Sequence, residues 1–327
     1  MVALESGEIL AERSSQEGVR SLSGIPLPER EQRFQEILQQ QVSALVKAGP
    51  VQGDPLPVLI SGMASSSIGW RELPYARTPF SLSGQDLQYV RLEGTGMLSR
   101  VPLFLFSGVR SDTDVMRGEE MELIGIDALL ARQSAAPSNY QVILPGTHSK
   151  HAQVQQGRLV RFQTCLTGEL FQLLGQHSSL RHAYEEMIAR PAGEEEEVRC
   201  WEQAFADGVE LSTREALIRS LFQTRTRQLL LGDTPLQAGG FLSGLLIGSE
   251  LLTLRDSPQE FGPIILAAAP GLARPYELAC QHLEMEDRIN RISPEDVTRL
   301  SALGQARVLS RLLPIENGVA RGVSRES

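Results

Sequence analysis

A chain of 327 residues, 41% hydrophobic and 22% charged, has the composition of a globular protein with room for two cores. Its formal charge of −9 argues against nucleic acid or an anionic membrane as the main partner, because both call for a basic surface. Cys165, Cys200 and Cys280 are too few and too scattered for a disulfide framework or a zinc site, which fits a reducing cytoplasm; no apolar run is long enough to span a bilayer, and the opening with Glu5, Glu8 and Glu12 lacks the pattern of a secretory leader.

Taken in chain order, residues 1–14 read as a strand stub, Val2-Ala3-Leu4, a turn, and a second strand, Ile9-Leu10-Ala11. Phe34, Ile37, Leu38, Val42, Leu45 and Val46 form one stripe and predict an amphipathic helix over 29–48, stopped by Gly49-Pro50. Val58-Leu59-Ile60 predicts a buried strand that runs into the glycine and hydroxyl loop 61–70. Such a loop at the carboxyl end of a strand is where open α/β sheets bind ligands, although a plain connection with Trp70 packed in a core fits as well. A strand over 101–106 precedes a loop, 107–118, that carries Arg110, Asp112, Asp114 and Arg117. Glu119-Glu120 then open a helix to about Ala131, where acidic residues can simply complement the helix dipole.

The next stretch, Val142-Ile143-Leu144-Pro145-Gly146-Thr147-His148-Ser149-Lys150, is a short strand, a tight turn and four polar side chains. Alternation after His151 around Gly157 predicts further strand rather than helix, so this is not a P-loop. A hairpin that offers backbone N–H groups, hydroxyls and a lysine suits phosphate as a nest, and an ordinary hairpin turn is the competing explanation. Lys47 and Lys150 are the two lysines among 31 basic residues, and a compact ammonium suits a phosphate oxygen as a point charge.

Thr167 reads as the N-cap of a helix, and 194–197 as a solvated charge run. In the helix over 239–255, Gly244 and Gly248 leave one face bare, for tight packing first and ligand approach second. A last strand, 264–268, ends in Ala269-Pro270-Gly271 before a helix over 273–285, a strand, turn and helix that could form a nucleotide pocket. A helix over 294–313 closes the fold, and the tail from Pro314 reads as disordered.

Gly62-Met63 through Trp70 with Pro74-Tyr75, Met116-Arg117-Gly118-Glu119-Glu120, Leu144 through Lys150, Thr167-Gly168-Glu169-Leu170, and Phe241 through Glu250 together resemble the 2-dehydro-3-deoxygalactonokinase family, in the family's order and with similar spacing. The resemblance implies an α/β, two-domain fold of the sugar kinase, hexokinase and actin superfamily, with ATP in an interdomain cleft. It implies a sugar-acid domain at 1–139, a nucleotide domain at 140–313 and a flexible tail at 314–327. The implied reaction carries the γ-phosphoryl group of ATP, with Mg²⁺, to the 6-hydroxyl of 2-dehydro-3-deoxy-D-galactonate, in galactose or galactonate breakdown. The implied partners are this sugar acid and ATP, with no nucleic acid or membrane and with homo-oligomerisation left open.

Carried onto this sequence, the resemblance puts Gly146, Thr147, His148 and Lys150 at the β- and γ-phosphates. It puts Ser65, Ser67, Trp70 and Arg117 at the sugar acid, with Arg117 forking onto the substrate carboxylate. Glu120 is preferred as the base over Glu119, Asp112 and Asp114, and Gly244 and Gly271 lie on the adenosine side. Two departures stand out. The family's usual opening strand and turn, of the Asp-Trp-Gly-Thr-Thr kind, has no counterpart before Met1. The first domain is therefore expected to be truncated at its N-terminus, with no metal ligand identified in the chain and activity lost. Ala268-Ala269-Pro270-Gly271 is also a poorer match to the glycine-rich turn expected at the adenosine site. The alternative reading is a non-catalytic sugar-acid-binding remnant of such a kinase; an actin-like filament protein or chaperone is weaker, having no use for the sugar-side motifs.

Overall fold

The computed structural model describes residues 1–3, 8–48, 56–133, 136–180, 195–255 and 261–312, and the backbone alone at 315–316 and 319–320. The fold is mixed α/β and divides into two compact units. The first comprises 1–138, 155–161 and 298–327, the second 139–154 and 162–297. The last helix, Pro294–Leu312, divides between them at Thr298.

In the first unit Val58–Ile60 pairs in parallel with Leu103–Phe106, which pairs antiparallel with Tyr89–Leu92, a strand not foreseen from the sequence. The helix Leu27–Ala48 lays Phe34 and Leu38 on Leu92, Leu103, Leu105 and Trp70. Val58–Ile60 is only half-buried. The expected loop 107–118 contains two short strands, Val109–Arg110 and Val115–Met116, paired antiparallel, the first also pairing with Ala76–Arg77.

The helix Glu119–Leu130 opens with three acids against the dipole's positive end and is apolar nearly all round, so it is buried. Glycines let it meet the helix Pro294–Leu312 backbone to backbone. A Cβ at Gly125 would lie 2.1 Å from Leu300 O, and one at Gly304 would lie 2.0 Å from Met121 O. This contact is why residues from Thr298 onward return to the first unit.

The opening hairpin reduces to a bridge between Val2 and Ile9, with Leu4–Gly7 outside the described residues, as is the stop at Gly49-Pro50. Most of the tail is outside them too, although the backbones of Ile315–Glu316 and Val319–Ala320 pair antiparallel.

The second unit is built on a sheet in the order Ile289–Arg291, Ile264–Leu266, Asn139–Leu144, then Ser149–Gln155 as far as Val154 and Arg158–Cys165 from Phe162 onward. Ile265 pairs in parallel with Val142 on one side and Asn290 on the other. Parallel strands covered by helices are apolar along their whole length, as Ile264-Ile265-Leu266 is. The helices Glu195–Ser212 and Pro235–Arg255 pack along a glycine seam. A Cβ at Gly208 would lie 2.2 Å from Phe241 O, at Gly244 2.0 Å from Phe205 O, and at Gly248 2.5 Å from Ser212 Oγ. Glu195, Glu196 and Glu197 at the start of the first of these helices are exposed, as the charge run implied; Glu194 lies outside the described residues.

Candidate active site

The turn at 145–148 joins Asn139–Leu144 to Ser149–Gln155 and sits on the first turn of the helix Thr167–His177. Glycine at 168 makes room for it, since a Cβ there would lie 2.5 Å from Gly146 O and 2.9 Å from Thr147 Cα. Glu169 N–H donates to Thr147 O at 2.9 Å, and His148 Nε2 lies 2.8 Å from Glu169 Oε2. Thr147 and His148 are exposed, and around Gly146 the space a side chain would fill is open. Lys150 is placed differently from Thr147 and His148. It is buried, and its Nζ donates to His148 O at 2.9 Å, so it braces the turn by holding the turn's own backbone.

Beside this turn is a cavity of about 350 Å³. Gly146, Thr167, Gly168, Gly271 and Tyr276 line it together with apolar side chains such as Phe171, Trp201, Leu246 and Leu272, and the lining is mostly apolar. Two helices start at it, Thr167–His177 and Pro270–His282. First-turn N–H groups of a helix lack intrahelical acceptors and carry partial positive charge. Here Glu169 N–H goes to Thr147 O, Leu272 and Ala273 N–H go to Ala269 O and Pro270 has none, so what the two starts offer an anion comes from the cavity-lining Gly168 and Gly271. The second helix starts at Pro270, earlier than expected, because a proline with its preset φ opens a helix at N1. Gly271 thereby becomes a first-turn residue, and a Cβ on it would meet nothing within 4 Å. Gly244 does not line the cavity: it is spent on Phe205, and its neighbour Ser243 lines the cavity instead.

Against the cavity lies a buried network that sequence reasoning missed. Glu250 Oε1 accepts hydrogen bonds from Ser149 Oγ and His151 Nε2, each at 2.7 Å, and Oε2 accepts from Tyr276 OH at 2.8 Å and from Thr167 Oγ1. Thr167 is therefore not an N-cap; Leu166 precedes the helix, and the Thr167 hydroxyl goes to the carboxylate. Burial pushes the Glu250 carboxyl up, but the His151 bond and charge and the Thr167 and Ser149 hydroxyls outweigh it and hold the group below its ordinary value. The available signal was one acid in an apolar helical run, with Leu246, Ile247, Leu251 and Leu254 all buried around it.

The sugar-side candidates lie in the first unit. Arg117 stacks on the Tyr75 ring at 4.1 Å. Its Nη1 donates to Ser65 O and Ser65 Oγ, its Nη2 to Leu73 O at 3.3 Å and its Nε to Tyr75 OH at 3.4 Å. A guanidinium has five N–H donors, and four are used. The bidentate fork expected for a substrate carboxylate is thus committed to the protein, with at most one donor to spare.

Ser65 is fully buried in this clamp, whereas Ser67 is exposed. Trp70 is core: it stacks on Phe34 with ring centroids 5.7 Å apart, and its Nε1 donates to Glu31.

Glu120, the expected base, has no exposed surface. Gly118 N–H donates to its Oε2 at 2.7 Å, Oε1 has no partner, and burial pushes the carboxyl up to about 8. Burial therefore favours its protonated form, and no part of it is exposed to a ligand in this structure. Asp114 sits half-buried at the tip of the short hairpin, where its Oδ1 accepts Val115 N–H at 2.7 Å. Gly118, at φ 122°, and Gly62 pack against each other where the 62–65 turn meets this helix.

A helix start, a glycine turn and an apolar cavity thus lie side by side in the second unit, and comparison with known proteins gives the family. Residues 1–301 match the family model described as 2-keto-3-deoxy-galactonokinase. A curated protein of Rhizobium meliloti (strain 1021), named "Probable 2-dehydro-3-deoxygalactonokinase DgoK1", is 30% identical over 93% of this chain and 92% of its own length. The Escherichia coli (strain K12) 2-dehydro-3-deoxygalactonokinase is 35% identical over 69% of this chain and 70% of its own. A crystal structure from Sinorhizobium meliloti, described as a "putative 2-dehydro-3-deoxygalactonokinase protein", superposes with a TM-score of 0.76 at 28% identity, covering 97% of this chain and 93% of that one. The chain belongs to the 2-keto-3-deoxy-galactonokinase family and is, by that membership, a kinase.

Among the described residues no helix is long and apolar enough to cross a membrane, and no group of three or more His, Cys, Asp and Glu side chains is arranged to hold a metal ion.

Proposed function

We propose that this chain transfers the γ-phosphoryl group of ATP to the 6-hydroxyl of 2-dehydro-3-deoxy-D-galactonate. The observation that carries the nucleotide half is the cavity of about 350 Å³, within the size range of ligand pockets, at which two helix starts and the Gly146 turn meet apolar side chains. Phosphoryl transfer asks a protein mainly for positioning and charge stabilisation, which fixed backbone dipoles supply without reorganising. Mg²⁺ enters as part of the substrate, MgATP, since the ion commonly keeps several waters and takes only one or two carboxylates from the protein.

In this reading Gly146, Thr147 and His148 meet the phosphates, Gly271 lies on the adenosine side, and Lys150 supports the turn. Ser67 offers the exposed hydroxyl toward the sugar acid. Arg117 holds Ser65, Leu73 and Tyr75 in place around it, and Asp114 is the candidate for accepting the hydroxyl proton. Kinase activity on this substrate class also agrees with the names of the relatives.

The test is Gly271→Leu in a coupled ADP-release assay with MgATP and 2-dehydro-3-deoxy-D-galactonate. The new side chain enters open space, so folding persists while the KM for ATP rises at least tenfold. Wild-type ATP kinetics in a folded Gly271→Leu protein would remove the nucleotide from this cavity. Absence of turnover by the wild-type chain with this sugar acid would overturn the substrate assignment.

A further inference from the structure

We infer that Glu250 is a positioning residue for the nucleotide, a buried anion that holds three walls of the cavity in one register. The inference rests on the reading that this cavity takes ATP. The Glu250 side chain is 1% exposed, so it acts through its partners and touches no ligand. Its four partners come from three parts of the site. Thr167 is the first residue of the helix whose start carries the 145–148 turn, and it lines the cavity. Ser149 and His151 begin the strand that leaves that turn. Tyr276 lies one turn beyond the cavity-lining Gly271 and Leu272 and itself lines the cavity. Glu250 comes from the helix that contributes Ser243, Leu246 and Ile247.

A carboxylate is the side chain suited to this task, because it accepts at both oxygens and all four neighbours here donate to it. An amide at 250 turns one end into a donor, which puts an N–H against groups that already point protons at that position. Removing one hydroxyl from the ring of partners frees one wall while leaving the apolar packing in place. Misplacement of about an ångström at a group that orients a reactant is enough to lower the rate or the affinity sharply.

The experiment compares Glu250→Gln, Thr167→Val, Thr167→Ser and Gly271→Leu in the full chain. MgATP affinity is measured by calorimetry, and KM for each substrate well below the melting temperature. The expected result is at least a fivefold loss of MgATP affinity in Glu250→Gln and Thr167→Val, with the KM for the sugar acid held within about twofold. Thr167→Ser, which returns the hydroxyl, recovers the affinity. A merely structural role would lower the melting temperature and the folded fraction but leave the ATP affinity of the folded protein alone. That outcome, with Gly271→Leu still blocking ATP, overturns the inference and keeps the cavity assignment. If Gly271→Leu binds MgATP normally, the cavity assignment fails and takes the inference with it. Should Glu250→Gln not fold, the Thr167 pair, which preserves the volume and shape of the site, decides the matter alone.

Discussion

Among the described residues each unit buries one glutamate, and the two are held in opposite states. Glu120 of the first unit has Gly118 N–H on one oxygen and nothing on the other, and burial pushes its pKa up to about 8, with Glu119 adding to the rise and Arg117 opposing it. Glu250 of the second unit is equally hidden, yet its pKa lies below the ordinary carboxylate value because four side-chain donors face it, one of them His151. Burial disfavours charge in both places, so the charge state is decided by how many donors the fold delivers. Glu120 is a neutral cap on its own helix. Glu250 is an anion around which a site is assembled.

The largest expected effect comes from emptying the second of these positions. Glu250→Ala leaves four donors pointing at a void, and removing one partner of a buried charged network costs about 3–5 kcal/mol. The wild-type contribution also has a sign in pH. A carboxyl whose folded pKa lies below its unfolded 4.5 adds stability that is present above 4.5 and lost as pH falls through the lower folded value. Denaturant titrations at pH 7 and pH 3.5 should therefore show the gap between wild type and Glu250→Ala shrinking in acid. A gap that is constant with pH would mean that Glu250 is not the anion described above.

Glu120 should behave in the reverse sense. Its folded pKa of about 8 lies above the unfolded 4.5, so the folded state holds an extra proton between those values; stability is full below 4.5 and declines as pH rises through about 8. Glu120→Gln removes the proton linkage and keeps an acceptor for Gly118 N–H. It should match wild type near pH 5 and exceed it at pH 8.5 by on the order of 3 kcal/mol. Parallel stability curves for the two proteins across that range would break the comparison.

Arg117→Lys is expected to be milder, about 2 kcal/mol. It keeps the charge that acts on Glu120 but loses a planar fork serving Ser65, Leu73 and Tyr75 at once. Thermal unfolding checks this, and a melting temperature equal to wild type would show that the clamp contributes nothing.

How much of this could be read from the chain depended on how local the cause was. The turn at Pro145-Gly146 and the strands on either side were legible because period-two alternation and glycine punctuation are properties of neighbours. Pro270-Gly271 was read as a turn before a helix, although proline at N1 makes it the helix's own first turn. The rarity of lysine marked Lys150 as unusual without revealing that its ammonium would fold back onto His148 O. Arg117 was legible as a guanidinium; that Ser65, Leu73 and Tyr75, 42 to 52 residues away, would use its donors was not. Glu250 was the least legible of all, since its partners lie 26 to 101 residues distant and only the fold collects them.

The smallest effect is the one that asks whether the Glu250 cluster acts as a unit. Tyr276→Phe keeps the ring in its packing and deletes only the hydroxyl, which donates to Glu250 Oε2 at 2.8 Å and lies 3.5 Å from Ser149 Oγ. Burial and the Glu250 charge hold the phenol well above its ordinary pKa, so it remains a donor throughout the working range. Three donors stay on the carboxylate, and the expected loss is about 1 kcal/mol, that of a single hydrogen bond with no charge stranded. With one donor fewer the folded pKa of Glu250 rises toward 4.5, so the acid loss of stability begins at a higher pH than in wild type. Tyr276 and Thr167 share Oε2, so either alone still satisfies it, and losing both leaves a buried charged oxygen with no donor. The double variant Tyr276→Phe with Thr167→Val should therefore lose more than the sum of the single losses, by about 0.5 kcal/mol or more. A double-mutant cycle on denaturant midpoints measures this directly. Losses that add to within about 0.3 kcal/mol would show the two hydroxyls to be independent bonds, and Glu250 would then be an anion with four separate neighbours.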